Sequence, residues 1–429
     1  MGPARGIHDE PIEAALPALA TVPLGPASSD ALARRVVNAS YRTGEANGAA
    51  RLAGVAARGD LPEALRLEAL KGLGEWNSPP TRDRVLNIYR PLAKRPGEPA
   101  AAALKELLPQ ILARQDKAGL EGAKLAARLG IGDVGPALVK LFEDLQLPAA
   151  SRAEALKALL ALKDSRIETF ARAALTDKQP LVRAAGLELL AELKPQESLP
   201  LLEQAAASLD RVERQAALAT LGAQKKLDAD PVLARAFERL QAGEVPADSR
   251  LDLLDALAAR KSPAMDKLLA EFENARPKDD PLAKFAETLV GGDARRGAAV
   301  FFERAQVSCV RCHRVDGRGG DVGPDLSKIG GEKNRPYLLE SIVLPNKTIA
   351  KNFESVLIVD NDGRTFSGIV KADNDQHLQL MTAEGKLLTI AKSAIDERRE
   401  GKSAMPEDLI KQLSRSDIRD LVEFLSNRK

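Results

Sequence analysis

The chain has 429 residues, 44% of them hydrophobic, which is enough to bury a sizeable core in two to four domains. Its 63 lysines and arginines almost balance its 61 aspartates and glutamates, and neither half is polarised, so no net field would attract nucleic acid or an anionic membrane. The two cysteines lie close together, which excludes a disulfide scaffold.

We interpret residues 1–30 as an N-terminal extension. Their most apolar stretch, residues 14–26, follows acidic residues and has no basic lead, so it does not resemble a secretory signal. The sequence contains no run of about 18 apolar residues, and we expect no membrane-spanning segment.

Residues 31–290 repeat a short pattern in which a polar residue is followed by leucines four and seven positions later. The copies are Arg66/Leu70/Leu73, Arg152/Leu156/Leu159, Arg183/Leu187/Leu190, Arg214/Leu218/Leu221, Arg250/Leu254/Leu257 and a looser one at Glu121/Leu125/Leu129. Spacings of 31, 31, 31 and 36 residues from Glu121 to Arg250 suit one helix pair per repeat. The pattern and the alanine and leucine usage resemble HEAT-like repeats, so we expect an α-solenoid that serves for scaffolding or docking. The alternative is an irregular helical bundle.

A change of composition at residues 290–293 predicts a second domain over residues 291–429. The glycine pair at 291–292 would end the last repeat helix, and Asp293 would cap a new helix over 294–305. In that helix Gly297 would let another helix approach closely. The last helix, residues 416–427, offers the partner stripe Ile418, Leu421, Val422 and Leu425.

The new domain contains the sequence Cys309-Val310-Arg311-Cys312-His313. Two thiols on one helical turn can each add to a vinyl group of one porphyrin, and the adjoining histidine is then directed at the iron. A thiol–disulfide site and a zinc site are the alternatives. Both fit less well, because a βαβ context and a fourth zinc ligand are not evident. We therefore expect one covalent haem c, bound by Cys309 and Cys312, with His313 on the iron.

Three residues downstream are candidates for the sixth iron ligand: His377, Met381 and Met405. Met405 is favoured because Pro406 would stiffen the loop that presents its thioether. Methionine ligation raises the reduction potential and, opposite histidine, leaves no open position on the iron, which suits an electron carrier.

Residues 353–395 predict a small β-meander inserted in this domain, with strands over 354–359, 364–371, 377–381 and 386–390. The insertion would limit access of solvent to the haem or form a docking surface, or it is an elaboration without a task. The basic residues Arg398, Arg399 and Lys402 would steer an acidic redox partner, or are solvated surface.

Residues 291–429 resemble the PVC-type haem-binding domain of planctomycetes and Verrucomicrobia. The resemblance rests on Gly297 with Phe301, on the CxxCH segment, on Gly323-Pro324-Asp325-Leu326 and on Met405-Pro406. It implies covalent haem at the two cysteines, His313 and Met405 as axial ligands, and a Pro324 carbonyl that accepts the His313 ring N–H. The sequence also departs from the family, because no sugar-dehydrogenase-like propeller precedes the repeats. We expect the catalytic partner to be a separate protein or a part of a longer chain outside this sequence.

The predicted fold is therefore mainly α: a HEAT-like α-solenoid followed by an α-helical cytochrome c domain with a small antiparallel β insertion. The function that follows is electron transfer between a dehydrogenase-like partner and an acceptor. A scaffold protein whose haem domain senses redox state or a small gas is the alternative. No catalytic residue is predicted, and a peroxidase is disfavoured. Because haem is attached to CxxCH motifs outside the bacterial cytoplasm, we expect a periplasmic or exported protein, although the sequence shows no signal peptide.

Overall fold

The computed structural model describes residues 2–10, 12–113, 116–132 and 134–429. The chain forms two compact units, Met1–Leu201 and Leu202–Lys429. The helices of the first unit are α1 (Gly2–Asp9), α2 (Leu16–Ala20), α3 (Asp30–Arg42), α4 (Ala46–Ala57), α5 (Glu63–Gly74), α6 (Glu98–Leu112), α7 (Lys117–Arg128), α8 (Gly135–Glu143), α9 (Ala149–Ala161), α10 (Ile167–Ala174) and α11 (Pro180–Leu193). The division between the two units falls inside α12 (Pro195–Ala206).

The helices of the second unit are α13 (Arg211–Ala223), α14 (Asp230–Gln241), α15 (Arg250–Arg260), α16 (Pro263–Asn274), α17 (Ala294–Glu303), α18 (Cys309–Cys312), α19 (Ile329–Glu332), α20 (Arg335–Val343) and α21 (Arg415–Ser426). Its strands are β1 (Arg314–Val315), β2 (Arg318–Gly319), β3 (Ser355–Asp360), β4 (Thr365–Asp373), β5 (His377–Met381), β6 (Leu387–Ala391) and β7 (Ile395–Glu400). Short 3-10 helices cover Glu13–Ala15, Ala247–Ser249, Ala283–Thr288, Lys392–Ala394 and Glu407–Gln412. The prediction of a mainly α chain with a small β component is confirmed.

The extension predicted at residues 1–30 contains two helices. Leu16, Leu19 and Ala20 of α2 are buried, and both α1 and α2 pack against α3. Met1 and Pro11 lie outside the described residues. The apolar character of this stretch is therefore accounted for by packing in the first unit.

The repeating leucines lie on alternate helices, α5, α7, α9, α11, α13 and α15, and form the core. Both leucines of every well-fitting copy are buried, at 7% exposure or less. In the looser copy Leu125 is buried but Leu129, the residue that ends α7, is 40% exposed. Within the first unit α5, α7, α9 and α11 pack on one another in chain order, so each leucine stripe is covered by the next helix of the series.

The polar residue of the pattern is an arginine buried at the same structural position in several copies. Arg152 is 4% exposed, and its Nε donates to the Phe142 carbonyl at 2.8 Å while its other two nitrogens reach the Asp177 carboxylate at 3.1 and 2.6 Å. Arg66 makes the equivalent contacts with Ala56 and Asp116. Each arginine thus joins the end of the preceding helix to an aspartate at the start of the helix two further on.

The second unit combines α13–α16 with the predicted haem domain, so the compact division at 201/202 does not coincide with the boundary predicted at 290/291. Direct bonds explain this within the unit. Arg419 of α21 donates to both oxygens of Asp252 on α15, at 2.7 and 3.1 Å, and Ser416 donates to Asp255 at 2.9 Å. On α13, Gln215 Nε2 donates to the Gly291 carbonyl at 2.9 Å. Because Arg419 is buried, this link is shielded from water.

Helices α17 and α21 cross as the sequence predicts, and Asp293 caps α17 by accepting from the backbone of Arg295 and Arg296. A Cβ on Gly297 would lie 2.0 Å from the Asp420 carbonyl oxygen, so only glycine allows this approach. The predicted stripe of α21 is buried, with Ile418 and Val422 fully enclosed. The crossing forms the core on which the CxxCH segment rests.

The inserted sheet is antiparallel with strand order β6-β5-β4-β3-β7. The four predicted strands are present. The fifth, β7, was not predicted, and it pairs with β3 so that Val356 faces Glu400 and Ile358 faces Arg398. One face of the sheet buries Val356, Ile358, Leu378, Leu380 and Ile390.

Candidate haem site

The CxxCH segment forms one helical turn directly after α17. Ser308 precedes it with a left-handed backbone (φ 46°), and the turn closes when His313 N donates to the Cys309 carbonyl at 2.9 Å. Both cysteines are half-buried free thiols. Cys309 and its neighbour Val310 pack against the core formed by α17 and α21. The local fold thus places two thiols and the imidazole on one short turn.

The protonation of the thiols separates a haem site from a thiol–disulfide site. Burial raises the pKa of the Cys309 thiol to about 11, and burial also raises the pKa of Cys312 above its usual range. Both thiols are therefore protonated near neutral pH. A thiol–disulfide centre instead requires a thiol whose pKa is lowered, because the thiolate is the nucleophile.

The His313 ring is fixed from two sides. Its Nδ1 lies 3.0 Å from the Pro324 carbonyl oxygen, which is the contact that the family resemblance implies. A Cβ on Gly323 would lie 2.6 Å from His313 Cε1 and 2.8 Å from Nδ1, so Gly323 packs directly against the ring. Sequence reasoning did not predict this role of Gly323. The only signal for it was the position of a glycine immediately before Pro324.

These contacts leave the second ring nitrogen of His313 available. Burial lowers the pKa of His313, and the Pro324 carbonyl partly offsets this shift, so the imidazole is neutral near pH 7. With the proton on Nδ1 donated to Pro324, Nε2 carries the lone pair. No hydrogen bond to Nε2 is found among the described residues, so Nε2 is the nitrogen free to bind a metal.

The loop that carries Gly323 and Pro324 is held against the CxxCH turn by backbone bonds. Gly320 N donates to the Val310 carbonyl at 3.0 Å, and Gly323 N donates to the Cys312 carbonyl at 2.8 Å. Further along, Leu326 N donates to the Arg314 carbonyl at 2.8 Å. The orientation of His313 is therefore set by a loop that is hydrogen-bonded to the turn next to it in the chain.

The three candidates for the sixth ligand occupy different places. His377 is exposed at the start of β5, and Met381, half-buried, ends the same strand opposite Leu387 of β6. Met405 is half-buried in the segment between β7 and the 3-10 helix Glu407–Gln412, and its backbone N donates to Ser403 Oγ at 3.2 Å. Met405 therefore reaches the domain on a segment of its own, whereas the other two belong to the sheet.

The basic residues near Met405 are all paired with carboxylates. Arg398 lies 2.7 Å from Asp373, and Arg399 lies 2.5 Å from Glu397. Lys402 lies 3.4 Å from Glu407. These contacts neutralise much of the charge that would attract an acidic partner, and they favour the interpretation of this cluster as solvated surface.

The zinc alternative receives no support from the geometry. Within the described ranges, no group of three or more histidine, cysteine, aspartate or glutamate side chains is placed to hold a metal ion. A structural zinc site needs four such ligands. The CxxCH turn offers two cysteines and one histidine, and no fourth ligand converges on them among the described residues.

Residues 294–376 match the family model described as cytochrome c. The chain carries a cytochrome c haem-binding domain. The match begins at the first residue of α17 and includes the CxxCH turn, His313 and Pro324, whereas Met405 and α21 lie beyond it. Comparison with curated proteins gives no match. No helix in the described parts of the chain is both long and apolar enough to cross a bilayer.

The residues of this cytochrome c domain fit a covalent haem. Two free thiols on one turn could each form a thioether to the same haem, and the His313 imidazole, with its Nδ1 anchored, would offer Nε2 to the iron. The absence of a side chain at Gly323 leaves the ring free to stand in that orientation. The sequence contains one CxxCH segment.

Proposed function

We propose that this protein is a monohaem c-type cytochrome that transfers electrons between a dehydrogenase-like partner and an acceptor. Cys309 and Cys312 would hold the haem, with His313 and Met405 as its axial ligands. The observation that carries the proposal is the His313 ring, whose Nδ1 is anchored to Pro324 while Nε2 stays free. When bound, haem c supplies one ferric–ferrous couple, so each electron taken from the donor is passed to the acceptor.

The residues of the chain have separate tasks in this function. The two cysteines would hold the haem in place, and Pro324 and Gly323 fix the angle and tautomer of the His313 imidazole. Met405 would close the sixth position against exogenous ligands and raise the reduction potential. None of these tasks requires a general acid or base, which is why we assign no catalytic residue.

We further propose that the α-helices before the cytochrome c domain form a solenoid of HEAT-like repeats that serves as a docking scaffold. The regular placement of the repeat leucines on alternate helices supports this proposal, as do the equivalent bonds of Arg66 and Arg152. Since haem attachment to CxxCH takes place outside the bacterial cytoplasm, we also propose a periplasmic or exported location.

The test is an absorption spectrum with a pyridine haemochrome assay on protein matured in a periplasm that attaches haem c. We expect a c-type spectrum that survives acid-acetone extraction and is lost in Cys309→Ala/Cys312→Ala. A weak thioether-to-iron band at the red end of the spectrum should be lost in Met405→Ala and kept in the matched control Met381→Ala. Absence of covalent haem from the native chain would refute the proposal, and loss of the band in Met381→Ala alone would refute the role of Met405.

A further inference from the structure

Residues 401–406, which we name the Met405 loop, run from the end of β7 to the 3-10 helix Glu407–Gln412. The start of the loop is bound to the first residue of β3. Gly401 N donates to the Ser355 carbonyl at 2.8 Å, and the Ser355 hydroxyl donates to the Lys402 carbonyl. Because Ser355 is buried, both bonds are protected from competition with water.

One side chain, Asn346, binds both the middle of the loop and the residue that follows it. Its Oδ1 accepts from Ser403 N at 2.7 Å, and its Nδ2 donates to Glu407 Oε1. The Ser403 hydroxyl in turn accepts from Met405 N at 3.2 Å. Asn346 therefore reaches the backbone of Met405 through a single intermediate residue.

Asn346 is itself well anchored. It follows α20, whose residues Leu338, Leu339, Ile342 and Val343 are buried in the same core as the stripe of α21. Asn346 lies before the inserted β sheet in the chain, and Ser403 lies after it. Their hydrogen bond therefore joins the two ends of the insertion. Asn346 thus fixes the position of the loop relative to the helical core, and Ser355 fixes its position relative to the sheet.

We propose that Asn346 is a positioning residue that keeps the Met405 thioether on the haem iron, with the inserted sheet as a second support through Ser355. This inference rests on the proposed function, in which Met405 is the sixth ligand. A thioether is a weak iron ligand, so its occupancy depends on how closely the protein confines it. Loss of the Asn346 bonds frees the loop and makes the sixth position easier for another ligand to take.

The experiment is a titration of the ferric holoprotein with imidazole, which competes with Met405 for the sixth position of the iron. Binding is measured from the loss of the thioether-to-iron band at the red end of the spectrum. In Asn346→Ala we expect apparent imidazole affinity to rise roughly fivefold, equivalent to about 1 kcal/mol for the lost anchoring hydrogen bonds. Asn361→Ala is the matched control, because Asn361 is an exposed asparagine in a turn of the same sheet that bonds the Ser393 carbonyl at 3.0 Å. It should leave the affinity unchanged.

A rescue variant distinguishes positioning from a general loss of stability. In Asn346→Asp an acceptor for Ser403 N remains, but the new carboxylate faces Glu407, so the loop should loosen as in Asn346→Ala. Adding Glu407→Gln supplies an amide donor in place of the carboxylate and should restore the native imidazole affinity. A purely structural role would lower the midpoint of thermal unfolding without changing that affinity.

The possible results separate this inference from the proposed function. If the native protein shows no thioether band, both the role of Met405 and that of Asn346 are refuted. If the band is present and Asn346→Ala binds imidazole as the native protein does, only the role of Asn346 is refuted. Increased affinity in Asn346→Ala together with recovery in Asn346→Asp/Glu407→Gln supports it.

Discussion

Replacement of Gly323 by alanine should disturb the His313 ring specifically. The new methyl group would lie 2.6 Å from His313 Cε1, whereas ordinary van der Waals contact begins at 3.4 Å, so ring and loop must separate by about 0.8 Å. The ring cannot move by this amount and keep its 3.0 Å contact with the Pro324 carbonyl. The substitution therefore strains the packing and breaks one hydrogen bond.

Overpacking of this kind costs about 1–3 kcal/mol, and a net hydrogen bond contributes about 1 kcal/mol. We expect the free energy of unfolding of the cytochrome c domain to fall by about 2–4 kcal/mol. Loss of the Nδ1–H contact also makes the imidazole a weaker donor to iron, so the ferric form loses stabilisation and the reduction potential should rise.

The assay is denaturant unfolding of the holoprotein, monitored by the haem absorption band, which reports on the surroundings of the haem, together with a redox titration. Gly331→Ala is the control, because a Cβ at Gly331 meets only Lys429 Cα at 3.8 Å and no positive φ is involved. It should change the stability by no more than about 0.5 kcal/mol. If Gly323→Ala matched Gly331→Ala in both stability and potential, the close packing of Gly323 on the imidazole would be wrong.

Two further substitutions test the helical framework. Gly297→Val should destabilise the cytochrome c domain by about 3 kcal/mol or more, since its Cβ would lie 2.0 Å from the Asp420 carbonyl oxygen. If this variant had the same free energy of unfolding as the native protein in the same assay, the observed helix crossing would be contradicted. Asp177→Ala should lower the free energy of unfolding of the helices in urea by about 3 kcal/mol, because it leaves Arg152 buried without its carboxylate partner. The control Glu197→Ala, which removes an exposed ion pair, should lower it by less than 1 kcal/mol. The pKa of Asp177 is lowered, mainly by its hydrogen bonds with Arg152. The stabilisation is therefore complete above the pKa of about 4 of an unfolded aspartate, and it disappears as the pH falls through the lower pKa of the folded state. If the free energies of unfolding of the native protein and Asp177→Ala still differed in acid, this assignment would be refuted.

The contact of His313 with Pro324, which the family resemblance implied, joins residues that are near one another in the chain. His313 and Pro324 are separated by 11 residues, and the turn and loop that join them are closed by local backbone bonds. The Asn346–Ser403 contact spans 57 residues and depends on the path of the whole sheet. No spacing rule in the sequence could indicate it.

Two features of the framework show why other parts escaped prediction. Strand β7, with the sequence IDERRE, lacks the alternation of apolar and polar residues that marks a strand; it forms because its backbone pairs with β3, and its charges are typical of a sheet edge. The repeat arginines were recognised as a polar position, but their aspartate partners lie 50, 25 and 34 residues away for Arg66, Arg152 and Arg214. Such irregular separations conceal a recurrent contact from sequence comparison.

The buried bonds from Arg419 to Asp252 unite the CxxCH domain with helices α13–α16 as a single compact body. Segments joined only by a linker swing relative to each other, and a redox centre on such an arm samples many distances from its partner. Here a protein that docked on α13–α16 would be held in a fixed place relative to the CxxCH turn. The rate of the proposed electron transfer would then depend on where on those helices the partner binds.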